Sequence, residues 1–349
     1  MRAGRATCSE HVDEIIRLIV LLVRHHLLTA GLLTHPRVLL VSFVLIGTIV
    51  LSPLRTEAQE LGNKLVGAIG INAGTQPEPG LYFLERLLFY SAGQIRDRNG
   101  DVIPIRDLMI DATAAVIGLS FTVKLTGAPL YTFAIGAPLA NVSVNADHPN
   151  IGIDASGFGD LFVQPVKLGG RFAGFDLVGS YTIYAPTGRF EPNRVTVGRG
   201  FWTHAFSAGG AVYFDRERTQ RFSALASYDI NGYKRGIRIK RGNTFQIQGG
   251  AGARIYGPLD AGIAGFALWQ VTDNSGLELP PIVEDARTRA FGLGPEIGAT
   301  IPSIRMRFDV RAEWEFGVRS RQEGWILVTS ASLLAWSPTR PAAAPVQAR

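Results

Sequence analysis

Residues 304–316 read IRMRFDVRAEWEF, and their pattern gives the clearest indication of the fold. Its even-numbered positions are apolar, and its odd-numbered positions are all Arg, Asp or Glu. On a helix, residues two apart lie on nearly opposite sides, so this pattern would spread charge around the whole cylinder. On a strand, it gives one apolar face and one fully charged face. The run exceeds the roughly 5–6 residues of a typical globular strand and covers the roughly 9–11 needed to cross a bilayer. It therefore predicts a transmembrane β-strand with lipid on one side and water on the other.

Further segments with strand-like alternation are separated by turn residues along the chain. Twelve strands are predicted, at 81–91, 112–124, 130–144, 157–168, 172–185, 201–214, 221–233, 243–256, 259–272, 287–301, 304–317 and 324–336. A soluble sandwich is the alternative, because its sheets also alternate, but it is not expected to hold twelve segments of this length. We therefore predict an all-β fold, a transmembrane antiparallel β-barrel of about 12 strands over residues 79–336.

The links between these segments support the barrel independently. Long and short links alternate, as expected when one rim carries short periplasmic turns and the other carries longer surface loops. Residues 145–156 and 318–323 are predicted as a long and a medium link at the surface rim. An even number of strands also places both ends of the barrel on the periplasmic side.

The N-terminus predicts export. Residues 38–51 (VLLVSFVLIGTIVL) form an uncharged apolar run after Arg37, and residues 56–58 (TEA) form a small-x-small cleavage signature. The run is shorter than the roughly 20 apolar residues of a spanning helix. We expect residues 1–58 to be a leader that contains a signal peptide, with an uncleaved signal anchor as the alternative. Whether residues 1–36 belong to the true translated start is left open by the sequence.

Two short segments flank the predicted barrel. Residues 59–78 are expected to be a periplasmic lead-in or a plug segment, and residues 337–349, rich in Pro and Ala, a disordered tail. Trp336 supplies the aromatic residue at the end of the last strand that suits recognition by the barrel assembly machinery. Aromatic residues near strand ends are expected to form girdles at the two membrane interfaces. They are Tyr82, Tyr90, Tyr184, Trp202, Trp269, Trp325 and Trp336.

Composition narrows the function classes. The only cysteine, Cys8, lies in the leader, so the exported chain offers no disulfide framework and no thiolate metal site. The net charge of +6 is spread along the chain without a concentrated basic tract, so nucleic-acid binding is not indicated.

The polar face of the strands predicts the residues that line the lumen. Within residues 304–316 these are Arg305, Arg307, Asp309, Arg311, Glu313 and Glu315. From other strands they are Asp176, Asp229, Gln246, Gln248 and Arg254. Such charges either shape the field that a solute experiences or pair across strands to hold the wall, and the sequence favours the structural role.

Catalysis and metal binding are not predicted. The exported chain has two histidines, and His204 and Ser207 are three residues apart, so in a strand they face opposite sides and form no Ser–His pair. His148 lies in a Pro-flanked loop, and two histidines give no zinc spacing. Asp147, Asp154 and Asp160 lack a calcium-ligand repeat. We expect no enzyme activity, no cofactor and no metal.

Seven short stretches occur in an order typical of one family. They are PGLYF (79–83), YSAGQIRDRNG (90–100), GDLFVQP (159–165), VGRGFWTHAFSAGGAVYFD (197–215), SYDING (227–232), WQVTDNSG (269–276) and LGPEIG (293–298). In these stretches the chain resembles the outer-membrane transporter family associated with the phenol meta-cleavage (MetA) degradation pathway. The resemblance covers residues 79–336 and assigns no individual residue to the solute.

The resemblance implies a barrel that passes small organic molecules, aromatic or hydrophobic ones among them, across the bacterial outer membrane. The expected partners are small organic solutes, outer-membrane lipid and the barrel assembly machinery, without nucleic acid. Two alternatives stay open: a non-transporting outer-membrane barrel that acts as a structural protein or adhesin, and a soluble periplasmic β-sandwich.

Overall fold

The structure is a computed structural model that describes residues 66–126, 129–147, 149–192, 194–278 and 286–338. The predicted leader over residues 1–58 lies outside these residues, as do residues 59–65 and 339–349. Among the described residues, no helix is long and apolar enough to cross a membrane.

The described part of the chain forms thirteen β-strands and one short 3-10 turn, Pro302–Ile304. The strands are β1 (Gly80–Arg96), β2 (Met109–Lys124), β3 (Leu130–Ala146), β4 (Ile151–Phe158), β5 (Leu161–Arg171), β6 (Phe175–Ala185), β7 (Thr203–Tyr213), β8 (Gln220–Asn231), β9 (Thr244–Tyr256), β10 (Leu259–Gln270), β11 (Arg289–Ile301), β12 (Met306–Arg319) and β13 (Arg321–Trp336).

These strands close into an antiparallel barrel. Each strand from β5 to β13 pairs with the next, β13 pairs with β1, β1 with β2, β2 with β3, and β3 with β5. Strand β4 pairs with one half of β3, from Ala146 opposite Ile151 to Leu139 opposite Phe158, and β5 pairs with the other half. Strands β4 and β5 therefore act as one interrupted strand, and the barrel has the predicted twelve positions.

The two ends of the barrel differ in their links. The terminal rim is the end where β1 begins and β13 ends, and the loop rim is the opposite end. The terminal rim carries only short links, at 125–129, 172–174, 214–219, 257–258 and 302–305. The loop rim carries links at 97–108, 147–150, 186–202, 232–243, 271–288 and 320.

The predicted alternation of long and short links fails at two places on the loop rim. Most of residues 145–156, predicted as a long link, belongs to β3 and β4, because this segment pairs with the extended β3. The predicted link at 318–323 shrinks to Ser320, whose left-handed backbone (φ 53°) reverses the chain in a single residue.

Burial along β12 is the reverse of what a soluble sheet requires. The apolar Val310 and Trp314 are 45% and 56% exposed, whereas Arg311 and Glu313 are 4% and 1% exposed. A soluble sandwich would bury the apolar face and leave the charged face in water. At β12 the barrel is therefore apolar outside and charged inside, which is the arrangement of membrane barrels.

Aromatic side chains lie on the outer surface near both rims. Near the loop rim, Phe245, Trp269, Phe291 and Phe316 form an unbroken series across β9, β10, β11 and β12, with successive ring centroids 6.0, 5.5 and 5.7 Å apart. Near the terminal rim, Phe121 lies 6.3 Å from Trp336. Such belts are typical of membrane–water interfaces. The girdle prediction is wrong for Tyr82, Tyr90 and Tyr184, which have the inner parity of β1 and β6; Tyr90 donates its hydroxyl hydrogen to Glu315 (2.8 Å).

Candidate functional site in the barrel lumen

Strand β12 supplies the charged wall of the lumen. Arg307, Asp309, Arg311, Glu313 and Glu315 share the inner side of the strand, because alternate residues of a strand face the same way. Arg311, Glu313 and Glu315 are buried, and the other two are partly buried. The structure thus places these five predicted residues on the inner face.

The prediction for Arg305 is wrong. This residue ends the 3-10 turn at the terminal rim with a left-handed backbone (φ 55°), and its side chain is exposed. The alternation of residues 304–316 continues through the turn in sequence, but the strand begins only at Met306.

The other predicted residues lie on inner faces of β6, β8 and β9. Asp176 accepts hydrogen bonds from Tyr213 (2.9 Å) and Arg218 (2.7 Å) near the terminal rim. Gln246 donates to Asp229 (3.1 Å) and accepts from Gln248 (2.8 Å) in a buried polar chain. Arg254 has the inner parity of β9 but lies exposed at the terminal rim.

Ion pairs connect the charged wall to neighbouring strands. Arg307 contacts Asp309 (2.6 Å) and Asp260 on β10 (2.9 Å), and Asp260 also contacts Arg221 on β8 (3.3 Å). Arg311 pairs with Glu296 on β11 (3.0 Å). These ion pairs link β12 to β10 and β11, and β10 to β8, on the inner side of the wall.

Glu313 differs from these paired residues. Neither of its carboxylate oxygens has a hydrogen-bond partner among the described residues, and its nearest cation is Arg311, at 3.8 Å. A buried carboxylate without donors is costly, because nothing replaces the hydrogen bonds it makes in water.

Residues 66–79, which we call the lumenal segment, run along the inner wall before β1. Arg311 Nε donates to the carbonyl oxygen of Gly67 (2.9 Å), and the amide of Ile69 donates to Gln248 Oε1 (3.1 Å). Nearer the terminal rim, Lys167 donates to the carbonyl oxygen of Thr75 (2.7 Å). The segment therefore follows the wall from β12 to β5 and leaves at the terminal rim, where β1 begins.

Ile71 is held to the wall through both of its backbone groups. Its amide donates to Glu296 Oε2 (2.9 Å), and its carbonyl oxygen accepts from Ser223 Oγ (2.9 Å) and Arg221 Nε (3.2 Å). Its side chain is 0% exposed. Both backbone groups of one residue are thus bonded to the wall by side chains from β8 and β11.

Three glycines make room for the Ile71 side chain. A Cβ added at Gly250, Gly252 or Gly262 would lie 3.0, 2.9 and 2.9 Å from Ile71 side-chain atoms. Gly252 and Gly262 face each other across β9 and β10. Side chains at these inner positions would fill the space that Ile71 occupies.

Several of these residues were not predicted from the sequence. Glu296 lies in LGPEIG, where glycines and a proline obscure the alternation of β11. Arg221 and Ser223 lie on the polar face of β8, so parity alone was a usable signal for them. The three glycines around Ile71 could not be predicted from the sequence, because the role of an inward glycine is visible only from the residue that packs against it.

The sequence predicted no Ser–His pair and no metal site. His204 has the outer parity of β7 and forms a 2.6 Å hydrogen bond through Nδ1 with the hydroxyl of Tyr181. Ser207 points inward and donates to Ser227 (3.0 Å). His148 lies outside the described residues, within which no group of three or more potential metal-ligating His, Cys, Asp or Glu residues occurs.

A family model described as "Putative MetA-pathway of phenol degradation" matches residues 92–329. The crystal structure of an outer membrane channel from Pseudomonas putida F1 is similar, with a TM-score of 0.66 at 14% identity over 75% of this chain and 97% of that chain. The Pseudomonas putida toluene transporter TodX and the monoaromatic hydrocarbon channel CymD each align with a TM-score of 0.34 at 10% identity, over 74% of this chain and 89% of theirs. No curated protein sequence matches the chain. At these identities, the similarity to the first channel concerns the barrel fold.

Proposed function

The chain belongs to the family of the MetA pathway of phenol degradation, as its motifs predicted, and we propose that it passes small organic molecules across a bacterial outer membrane. The observation that carries this proposal is the inside-out barrel, with apolar side chains exposed outside and charged side chains buried inside. Phenol degradation as the family's theme supports aromatic and hydrophobic molecules as solutes. The process is passage without a chemical step.

In this proposal the terminal rim faces the periplasm. Short links, the start of β1 and the end of β13 lie at this rim, which is the usual arrangement of outer-membrane barrels. Lipid covers the exposed apolar belt between the aromatic side chains near the two rims, and the barrel assembly machinery inserts the chain. The signal peptide in residues 1–58 delivers it.

The lumenal segment acts as a plug. It occupies the inner wall from β12 to β5, so passage requires it to move. Most of its hydrogen bonds join its backbone to wall side chains, each contributing roughly 0.5–1.5 kcal/mol, or about 1.5–3 kcal/mol when one group is charged. A few such bonds hold a segment in place while leaving it releasable.

An engineered disulfide tests this function directly. A Cβ at Gly252 would lie 3.3 Å from the Cβ of Ile71, close to the roughly 3.5–4.5 Å of disulfides. The double variant Ile71→Cys, Gly252→Cys, in a Cys8→Ala background, is reconstituted into liposomes, and uptake of 4-hydroxybenzoate is measured with and without reductant. Heat modifiability on detergent gels confirms a folded barrel beforehand.

We expect wild-type liposomes to take up the solute, and the oxidised double variant to do so only after reduction. The single variants Ile71→Cys and Gly252→Cys serve as controls that reductant leaves unchanged. The transport function would be contradicted if neither the folded wild-type barrel nor a folded variant that lacks residues 66–79 admitted the solute. That result would favour the alternative, a non-transporting barrel, in which the lumen stays filled.

A further inference from the structure

The seat of Ile71 has the composition of a ligand site. The apolar body of Ile71 lies against Gly250, Gly252 and Gly262, its oxygen receives two donors, and its amide hydrogen meets a carboxylate. Two donors on one oxygen and an acceptor beside them define a specific polar pattern around an apolar pocket. Pockets of this type, mostly apolar with a few convergent polar groups, are where small molecules bind.

A second observation lies beside the seat. Oδ1 of Asp260 is buried and has no hydrogen-bond partner among the described residues, although its other oxygen pairs with Arg221 and Arg307. The polar side of the seat thus retains an unused acceptor next to Arg221, which itself bonds Ile71.

We propose that the Ile71 seat is a binding site for a small uncharged molecule, and that its binding displaces Ile71 and raises the release of the lumenal segment above the rate without this molecule. This inference rests on the proposed function and adds the chemistry of the molecule that opens the lumen. Ile71 occupies the site as an internal ligand, so the molecule resembles it: an apolar body of similar size that carries one hydrogen-bond acceptor and one donor.

The ligand is uncharged because the charges around the seat are already paired. Arg221 faces Asp260, and Glu296 faces Arg311. A charged ligand would bring an additional charge without a partner into a dry site, which is unfavourable. A carboxylate would also lie against Glu296, which now accepts a hydrogen bond from an amide.

Three probe molecules separate these requirements. 2-Methylbutanamide carries the same branched apolar body as isoleucine together with an amide. 2-Methylbutanoate keeps the body and carries a negative charge, and acetamide keeps the amide and lacks the body. The readout is the rate at which a membrane-impermeant thiol reagent modifies Asn72→Cys, in a Cys8→Ala background, in proteoliposomes.

The amide is expected to raise the modification rate about fivefold or more in a saturable manner, since one ordinary hydrogen bond lost from the segment changes its release by about this factor. The carboxylate and acetamide are expected to have little effect. Ser223→Ala, which removes one donor to the shared oxygen, should weaken the response to the amide. Gly262→Val, which fills the pocket, should give a high rate that no probe changes.

Gly179→Ala is the matched control, because this outward glycine has only one atom within 4 Å of an added Cβ, at 3.9 Å. It should respond like wild type. Equal effects of the three probes, no effect of the amide, or an undiminished response in both Ser223→Ala and Gly262→Val would each overturn the proposal. A barrel that takes up solute while the amide leaves Asn72→Cys unchanged would refute this inference alone, whereas the uptake experiment above tests the transport function.

Discussion

The backbone amide of Ile71 donates a 2.9 Å hydrogen bond to Oε2 of Glu296, which joins the lumenal segment to strand β11 across 225 residues of sequence. Glu296 also pairs with Arg311, which in turn holds the carbonyl oxygen of Gly67. One carboxylate therefore connects two anchors of the segment. Its removal is the most direct way to loosen the lumenal segment.

Glu296→Ala should increase solute uptake about tenfold, because a hydrogen bond to a charged acceptor contributes about 1.5–3 kcal/mol. Glu296→Gln, which retains an acceptor oxygen but not its charge, should give an intermediate value. Liposome uptake of 4-hydroxybenzoate measures the effect, with heat modifiability as the test of folding. If a folded Glu296→Ala barrel took up the solute at the wild-type rate, this bond would not be what holds the plug.

Glu313→Gln should have the opposite effect and lower uptake about fivefold to tenfold. Glu313 is buried beneath Gly67 without a hydrogen-bond partner, so covering it with the segment is costly, and release of the segment lets water reach it. Removing the charge lowers the cost of burying this side chain, so release of the segment becomes less favourable. The measurement is the same uptake assay, with Glu296→Gln as the matched carboxylate change on the neighbouring strand. An increase in uptake would contradict the prediction.

Gly67→Ala should loosen the segment. Gly67 has a left-handed backbone (φ 69°), and an added Cβ would lie 2.2 Å from Glu313 Oε2. The backbone alone costs roughly 1–2 kcal/mol for a residue with a side chain. Gly236→Ala is the control, since Gly236 has a similar φ of 74° but its nearest atom would be 3.6 Å away. The rate of thiol modification at Asn72→Cys should rise in the first variant and not in the second.

Arginine on the outer face should destabilise the barrel according to its depth. Ile263 lies in the middle of β10 and is 58% exposed, and Ile255 lies near the end of β9. In lipid, Ile263→Arg should cost about 2–4 kcal/mol and Ile255→Arg about 0–1 kcal/mol. Denaturant unfolding in liposomes measures both. If this surface faced water, the two substitutions would be almost equally harmless.

The link at 214–219 should loosen in acid. Hydrogen bonds from the amide of Gln220 (2.6 Å) and from Thr219 lower the pKa of Asp215 below its ordinary value of 3.8. A lowered pKa in the folded state means that the contribution is fully present above the ordinary value and is lost as pH falls through the lowered one. Exchange of the Thr219 and Gln220 amides should therefore lose protection as pH falls below about 4, and Asp215→Asn should lack this loss. Identical profiles for the two proteins would contradict this.

The sequence determined the class of fold because alternation is a local property. In β12, the side on which Val310 and Arg311 lie follows from the two-residue period of a strand, and so does the inner position of Gln246 or Asp229. Strand ends were less secure. The alternation of residues 304–316 continues past the real start of β12, so Arg305 was assigned to the lumen although it lies in a turn.

Which inner residues act together depends on how the strands pair in three dimensions. Glu296 stands opposite Arg311, and Gly252 opposite Gly262, because of the register between neighbouring strands, which no single strand encodes. The path of residues 66–79 depends on partners from distant strands, among them β5, β8, β9, β11 and β12, and the segment has no periodicity of its own. Alternation along a strand fixes the direction of each side chain, whereas closure of the barrel fixes what that side chain meets.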